Sequence, residues 1–86
     1  MIFDLYVSSF CGACARTRAV LTRATDLIPG ARLVEHNIAS DPDRADSTGI
    51  TSTPTVIIRS DDGKEVGRAA GVPTLDQVLG AAARAV

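Results

Sequence analysis

The chain reads as an α/β protein with a four-stranded mixed sheet, elements in the order β-α-β-α-β-β-α and helices on both faces. Three observations carry this reading. An apolar run over residues 2–7 gives way to apolar residues at helical spacing from Cys14 to Ile28, and the same switch from strand to helix recurs over residues 31–47. The triplet Asp61-Asp62-Gly63 then joins two strand-like runs as a hairpin. A last run at helical spacing starts at Thr74.

Taken in order, Ile2 to Val7 is mostly apolar with Asp4 as its one interruption, so the first strand is expected to be buried on both faces. Beyond the cysteine motif, Cys14, Thr17, Val20, Leu21, Ala24, Leu27 and Ile28 share one helical face, and Pro29-Gly30 ends the helix. Ala31 to Ile38 is the second strand. Ser40, with Asp43 three residues on and Pro42 in the first turn, reads as the cap of a short helix over Asp41 to Ser47, closed by Gly49. Its acids Asp41, Asp43 and Asp46 read as a solvated face near a favourable dipole end. Pro54 cannot donate to a ladder and belongs at the start of the strand Thr55 to Arg59, with Lys64 to Ala70 as its hairpin partner. Thr74 and Gln77 form a capping box, and Leu75, Val78, Leu79, Ala82 and Val86 keep to one face of the last helix. Strands separated by a helix need a crossover, so the first two are expected to be parallel and the last two antiparallel.

A chain of 86 residues reads as one domain, residues 1–86, and a domain of that size buries somewhat more than roughly 60% of its unfolded surface. Phe3, Tyr6 and Phe10 are its only aromatics, which leaves the core to Val, Ile, Leu and Ala. The net charge of −1, with basic residues spread along the chain, gives none of the electrostatic footprint of a nucleic-acid binder. The stretch MIFDLYVSSF has no basic n-region, and nothing later approaches a membrane span, so a cytoplasmic protein is expected.

Cys11 and Cys14 are the only cysteines, and they stand in SSFCGACARTR at the junction of the first strand and first helix. A structural staple is disfavoured, because the loop between them is too small to constrain the unfolded chain much. A structural zinc site needs four ligands, and a single His36 accompanies the pair, so a metal or iron–sulfur module would need a dimer to complete it. His36 itself reads as a strand histidine satisfied by local hydrogen bonds. A redox pair explains more. Sites in such sheets form beyond the carboxyl ends of the strands, and a cysteine opening a helix meets unpaired N–H groups that favour its thiolate. Cys11 is therefore the expected nucleophile, and Cys14, one turn deeper, the thiol that resolves the mixed disulfide. Arg16 and Arg18 could add positive potential there.

These residues resemble a family. FCGAC after a strand, GITSTPTVII about forty residues on, a DG hairpin and AAGVPTLDQVL together look like the thioredoxin and glutaredoxin proteins over nearly the whole chain. The resemblance implies the thioredoxin fold and a thiol-disulfide oxidoreductase that reduces protein disulfides as a monomer. It implies no bound cofactor, with electrons supplied by an NADPH-dependent flavoprotein reductase or by glutathione. It further implies a cis Thr53-Pro54 peptide, whose Thr53 backbone would pair with an extended substrate, and a docking groove walled by Gly71 and Val72. Phe10, Ala13, Thr53 and Val72 would form an apolar platform around Cys11.

The chain also departs from the pattern. Ser8 stands where glutaredoxins carry a basic residue for the glutathione carboxylate, which points towards the reductase. Ala13 replaces the proline common between thioredoxin cysteines, which loosens the turn. Thioredoxins bury an aspartate six residues before the first cysteine, where this chain has Leu5, and pair it with a lysine where this chain has Glu35. Asp4 is one residue out of phase and turns to the other side of the strand. Glu35 is then the candidate proton acceptor for Cys14, with an exposed strand glutamate as the alternative reading.

Overall fold

A strand of nearly unbroken apolar residues needs cover on both sides, and β1 (Ile2–Val7) has it: Phe3 to Val7 are all buried. In the computed structural model, which describes residues 1–85, β1 lies in the interior of a sheet ordered β2-β1-β3-β4. β2 (Arg32–Asn37) runs parallel to β1, Leu5 opposite Glu35. β3 (Thr55–Arg59) runs antiparallel on the other side, Leu5 opposite Val56. β4 (Glu65–Ala70) completes the hairpin, with a register shift between Ile58 and Arg59. The parallel crossover and the hairpin both follow the expected topology.

Alternation then divides the buried residues into two layers. Phe3, Leu5, Val7, Val56 and Ile58 face α1 (Gly12–Leu27) and α3 (Leu75–Arg84), whose Cys14, Leu21, Ala24, Val78 and Ala82 close one apolar cluster. Each fully buried aliphatic side chain such as Leu5 or Leu21 contributes about 2 kcal/mol by leaving water. Asp4, Tyr6, Thr55 and Ile57 face the other way. α2 (Pro42–Thr48) lies on that side, since Arg68, which pairs with Ile57, reaches the Thr48 carbonyl oxygen with Nη1 at 2.7 Å.

The edges differ from expectation in small ways with local causes. β2 is one residue shorter at each end, because Ala31 N–H is drawn into a turn with the Ile28 carbonyl and Ile38 N–H caps the Val7 carbonyl. β4 begins at Glu65, since Lys64 belongs to the turn, its N–H held by Asp62 Oδ1. The cap of α2 is Asp41 rather than Ser40: Pro42 fixes the first helical position and disfavours helical backbone in the residue before it. Asp41 Oδ1 accepts from the Arg44 N–H, while the Ser40 N–H closes a turn on the Asn37 carbonyl. Asp43 and Asp46 are exposed, as expected of a solvated face. The capping box at Thr74 and Gln77 forms in both directions, at 3.1 and 2.9 Å. Leu27, expected on the buried face of α1, is 45% exposed, because it is turned to the flank of the stripe formed by Cys14, Thr17, Leu21 and Ala24, which Ile28 continues against the core. Val86, expected on the face of the last helix, lies outside the described residues.

Candidate active site at the carboxyl end of β1

The chain leaves β1 at Val7 and turns through Ser8, Ser9 and Phe10 before Cys11 caps α1 in an extended conformation, φ −105° and ψ 100°. A cap residue's side chain normally accepts from an N–H of the first turn, and here the acceptor is sulfur: Cys14 N–H donates to Cys11 Sγ at 3.0 Å. Sγ of Cys11 thus sits where the unpaired amides and the positive end of the helix dipole converge. Cys14 is one turn further on, 1% exposed, in the apolar cluster with Leu5, Val56 and Val78, whereas Cys11 is partly exposed. The two are joined by a disulfide with Cα atoms 5.2 Å apart, inside the range that side chains bridge without backbone movement.

Two further loops meet this turn. Ser8 Oγ and Thr53 Oγ1 share a hydrogen bond of 2.7 Å, which joins the β1–α1 turn to the segment before β3. The Thr53–Pro54 peptide is cis, and Pro54 is buried. The Pro54 carbonyl in turn accepts from Gly71 N–H at 2.9 Å, which brings in the segment after β4. Gly71 has φ +83°, a left-handed conformation that a side chain would strain. Val72 next to it is 42% exposed. Phe10 also has a positive φ, +57°, and its ring is fully exposed. The expected site residues Phe10, Cys11, Thr53, Pro54, Gly71 and Val72 therefore lie on three hydrogen-bonded loops at one end of the sheet, with Ala13 and Cys14 in the first turn of α1 beside them. Among the described residues neither the N–H nor the C=O of Thr53 has a hydrogen-bond partner.

Glu35 does not join them as a buried acid. It is in register with Leu5 and so faces the α1 side, but β2 is an edge strand and the side chain stands at the rim. There Arg18 donates from Nε and Nη2 to its two carboxylate oxygens at 2.5 and 3.1 Å. That hydrogen bond and the charge behind it lift the Arg18 guanidinium above its ordinary value, and they leave both side chains exposed. Glu35 is thus the exposed strand glutamate of the alternative reading and not a desolvated acid, and Arg18 is engaged away from the cysteines. Arg16 instead lies beside the motif, with Nη1 3.7 Å from where a Cβ on Gly12 would stand.

Asp4 is buried on the opposite face, as its phase requires. Its Oδ1 accepts from His36 Nε2 at 2.9 Å and its Oδ2 from Arg59 Nε at 2.5 Å, so one carboxylate from β1 links cations or donors on β2 and β3. The Asp4 hydrogen bond raises the Arg59 guanidinium above its usual value. His36 also packs its ring on Tyr6 with centroids 4.8 Å apart. The histidine is satisfied by its hydrogen bond, and the sheet separates it from Cys14. Among the described residues no group of three or more His, Cys, Asp or Glu could hold a metal ion. Two residues with roles in this region were missed by sequence reasoning. Ser8 entered only as a missing cation, and Arg59 only as the end of a strand; the phase of Asp4 was the one signal that pointed to the second face.

No protein-family model matches the chain. A curated relative, the thioredoxin of Chlamydia muridarum, is 30% identical over 74 residues, which cover 86% of this chain and 72% of that protein. The chain belongs to the thioredoxin family. Solved structures agree on the fold. Thioredoxin 1 of Thermosipho africanus superimposes with a TM-score of 0.83 at 18% identity, over 98% of this chain and 92% of that one. The oxidized form of mitochondrial thioredoxin 3 of Saccharomyces cerevisiae gives 0.81 at 23% identity, over 95% and 76%. With the Cys11–Cys14 disulfide at the head of α1, this thioredoxin-family chain is a thiol-disulfide oxidoreductase. Among the described residues no helix is long and apolar enough to cross a membrane.

Proposed function

We propose that the chain reduces disulfides in proteins, with Cys11 as the attacking nucleophile and Cys14 as the resolving thiol. The observation that carries the assignment is the Cys14 N–H donated to Cys11 Sγ at the cap of α1, which favours negative charge on that sulfur and not on its buried partner. In the reduced chain the Cys11 thiolate attacks one sulfur of the substrate disulfide, and the other substrate sulfur leaves as a thiolate. Cys14 then gives up its proton and attacks Cys11 Sγ, which expels the second substrate thiol and forms the Cys11–Cys14 disulfide. Two electrons from a reductant restore the dithiol.

The substrate segment docks on Phe10, Ala13, Thr53, Pro54, Gly71 and Val72. The free N–H and C=O of Thr53 support pairing with an extended peptide, and the exposed Phe10 and Val72 support apolar contact on either side. The reductant is an NADPH-dependent flavoprotein reductase rather than glutathione: Ser8 offers no cation, and its hydroxyl is already bonded to Thr53. The chain works in a reducing compartment, the cytoplasm, where the disulfide is a transient of the cycle.

Reduction of insulin, run in parallel with NADPH plus thioredoxin reductase and with NADPH, glutathione and glutathione reductase, tests this reading. Turnover with the first system is expected. Cys14→Ser should accumulate a mixed disulfide at Cys11, and Cys11→Ser should abolish attack; a Cys11→Ser chain that still attacks the disulfide refutes the assignment.

A further inference from the structure

Ser8 and Thr53 stand 45 residues apart, yet their hydroxyls share a 2.7 Å hydrogen bond, the one side-chain link among the described residues between the turn that carries Phe10 and Cys11 and the segment before Pro54. We infer that Ser8 is a positioning residue for substrate: its hydrogen bond to Thr53 holds the peptide-pairing segment at a set distance from Cys11, so that a chain flanking the target disulfide is received in register with the attacking sulfur. The inference rests on the docking role proposed above for Thr53.

Three features support it. Thr53 has no backbone hydrogen bond among the described residues, so its side chain is what ties it down from the cysteine side. Behind it the Thr55 hydroxyl donates to the Ser52 carbonyl at 2.7 Å, and Gly71 N–H to the Pro54 carbonyl at 2.9 Å, so both flanks of Thr53 are fixed. Thr53 itself would be the loose point without Ser8. Both hydroxyls are only partly buried, so water can replace the bond in the fold, and its loss acts on geometry more than on stability. An extended substrate must meet the Thr53 backbone and Cys11 at once, and a small misplacement between two such contacts lowers the rate of attack. A small disulfide needs Cys11 alone.

The experiment compares Ser8→Ala, Thr53→Val and the double variant on insulin and on 2-hydroxyethyl disulfide, with the alkylation rate of Cys11 by iodoacetamide alongside. Loss of one neutral hydrogen bond is expected to lower kcat/KM for insulin about fivefold in each single variant. The double variant should fall no further than either single, because the bond is shared. In Ser8→Ala the ratio of insulin to small-disulfide rates should drop and the Cys11 alkylation profile should not move, and Ser8→Thr should recover the insulin rate by keeping a hydroxyl. Additive single losses, equal losses on both substrates, or a wild-type rate in Ser8→Ala would overturn the inference. A wild-type chain that reduces 2-hydroxyethyl disulfide but not insulin overturns the protein-substrate reading and this inference with it, whereas normal insulin reduction by Ser8→Ala sinks the inference alone.

Discussion

The two faces of the sheet are built from opposite chemistry. On the side of α1 and α3, Cys14 belongs to one apolar cluster with Leu5, Val7, Leu21 and Val56, and Thr17, the one buried polar side chain there among the described residues, spends its hydroxyl on the Ala13 carbonyl at 2.9 Å. On the side of α2, a buried carboxylate holds a histidine and an arginine from the two neighbouring strands. One residue of phase on β1, Leu5 against Asp4, makes the difference. The charged cluster therefore ties three strands together without facing the thiols, and positive potential at Cys11 comes from the helix amides, with Arg16 beside the motif.

The contrast breaks most sharply if a carboxylate is moved to the wrong face. Leu5→Asp removes a fully buried side chain and leaves an unpartnered acid against Cys14, and it should cost about 5 kcal/mol in urea unfolding. Asp4→Ala strips the partner from His36 and Arg59 and should cost about 3 kcal/mol, while disulfide reduction per folded molecule stays at the wild-type rate. A large fall in that rate would show that the two faces communicate.

At the rim the effects are smaller. Glu35→Gln loses an exposed ion pair and should leave urea unfolding close to wild type, with the pH profile of disulfide reduction unchanged. A shifted profile would restore Glu35 as a proton acceptor. On β4, the hydrogen bond from Arg68 holds the Glu65 carboxyl below the usual carboxylate range. The folded chain thus binds fewer protons than the unfolded one, and the stabilisation is full above the ordinary carboxylate value and lost as pH falls through the depressed one. Glu65→Gln should therefore cost about 0.5 kcal/mol near neutral pH, a difference that fades in acid.

Most of the framework was legible because periodicity and punctuation agree: the unbroken run of β1, the 3.6-residue face of α1, the Thr74–Gln77 box and the DG hairpin each specify one local structure. The cysteine motif and GITSTPT were legible for the same reason, as short segments with one chemistry each. What the residues did not disclose depends on neighbours distant in sequence. Glu35 was in the right register for an acid facing α1, but only the strand order puts β2 at the edge, within reach of Arg18. The pairing of β1 with β3, which brings Arg59 to Asp4 and Thr53 to Ser8, spans some 45 to 55 residues and leaves no local signature.

Alkylation of the reduced chain by iodoacetamide across pH, with Cys11 and Cys14 followed separately by peptide mapping, reads the chemistry of the cap most directly. Cys11 should react at or below neutral pH, with a titration shifted to acid relative to free cysteine, and Cys14 should stay unreactive in the folded chain. If both thiols react only in alkaline buffer at the rate of free cysteine, the amides at the head of α1 do not activate Cys11.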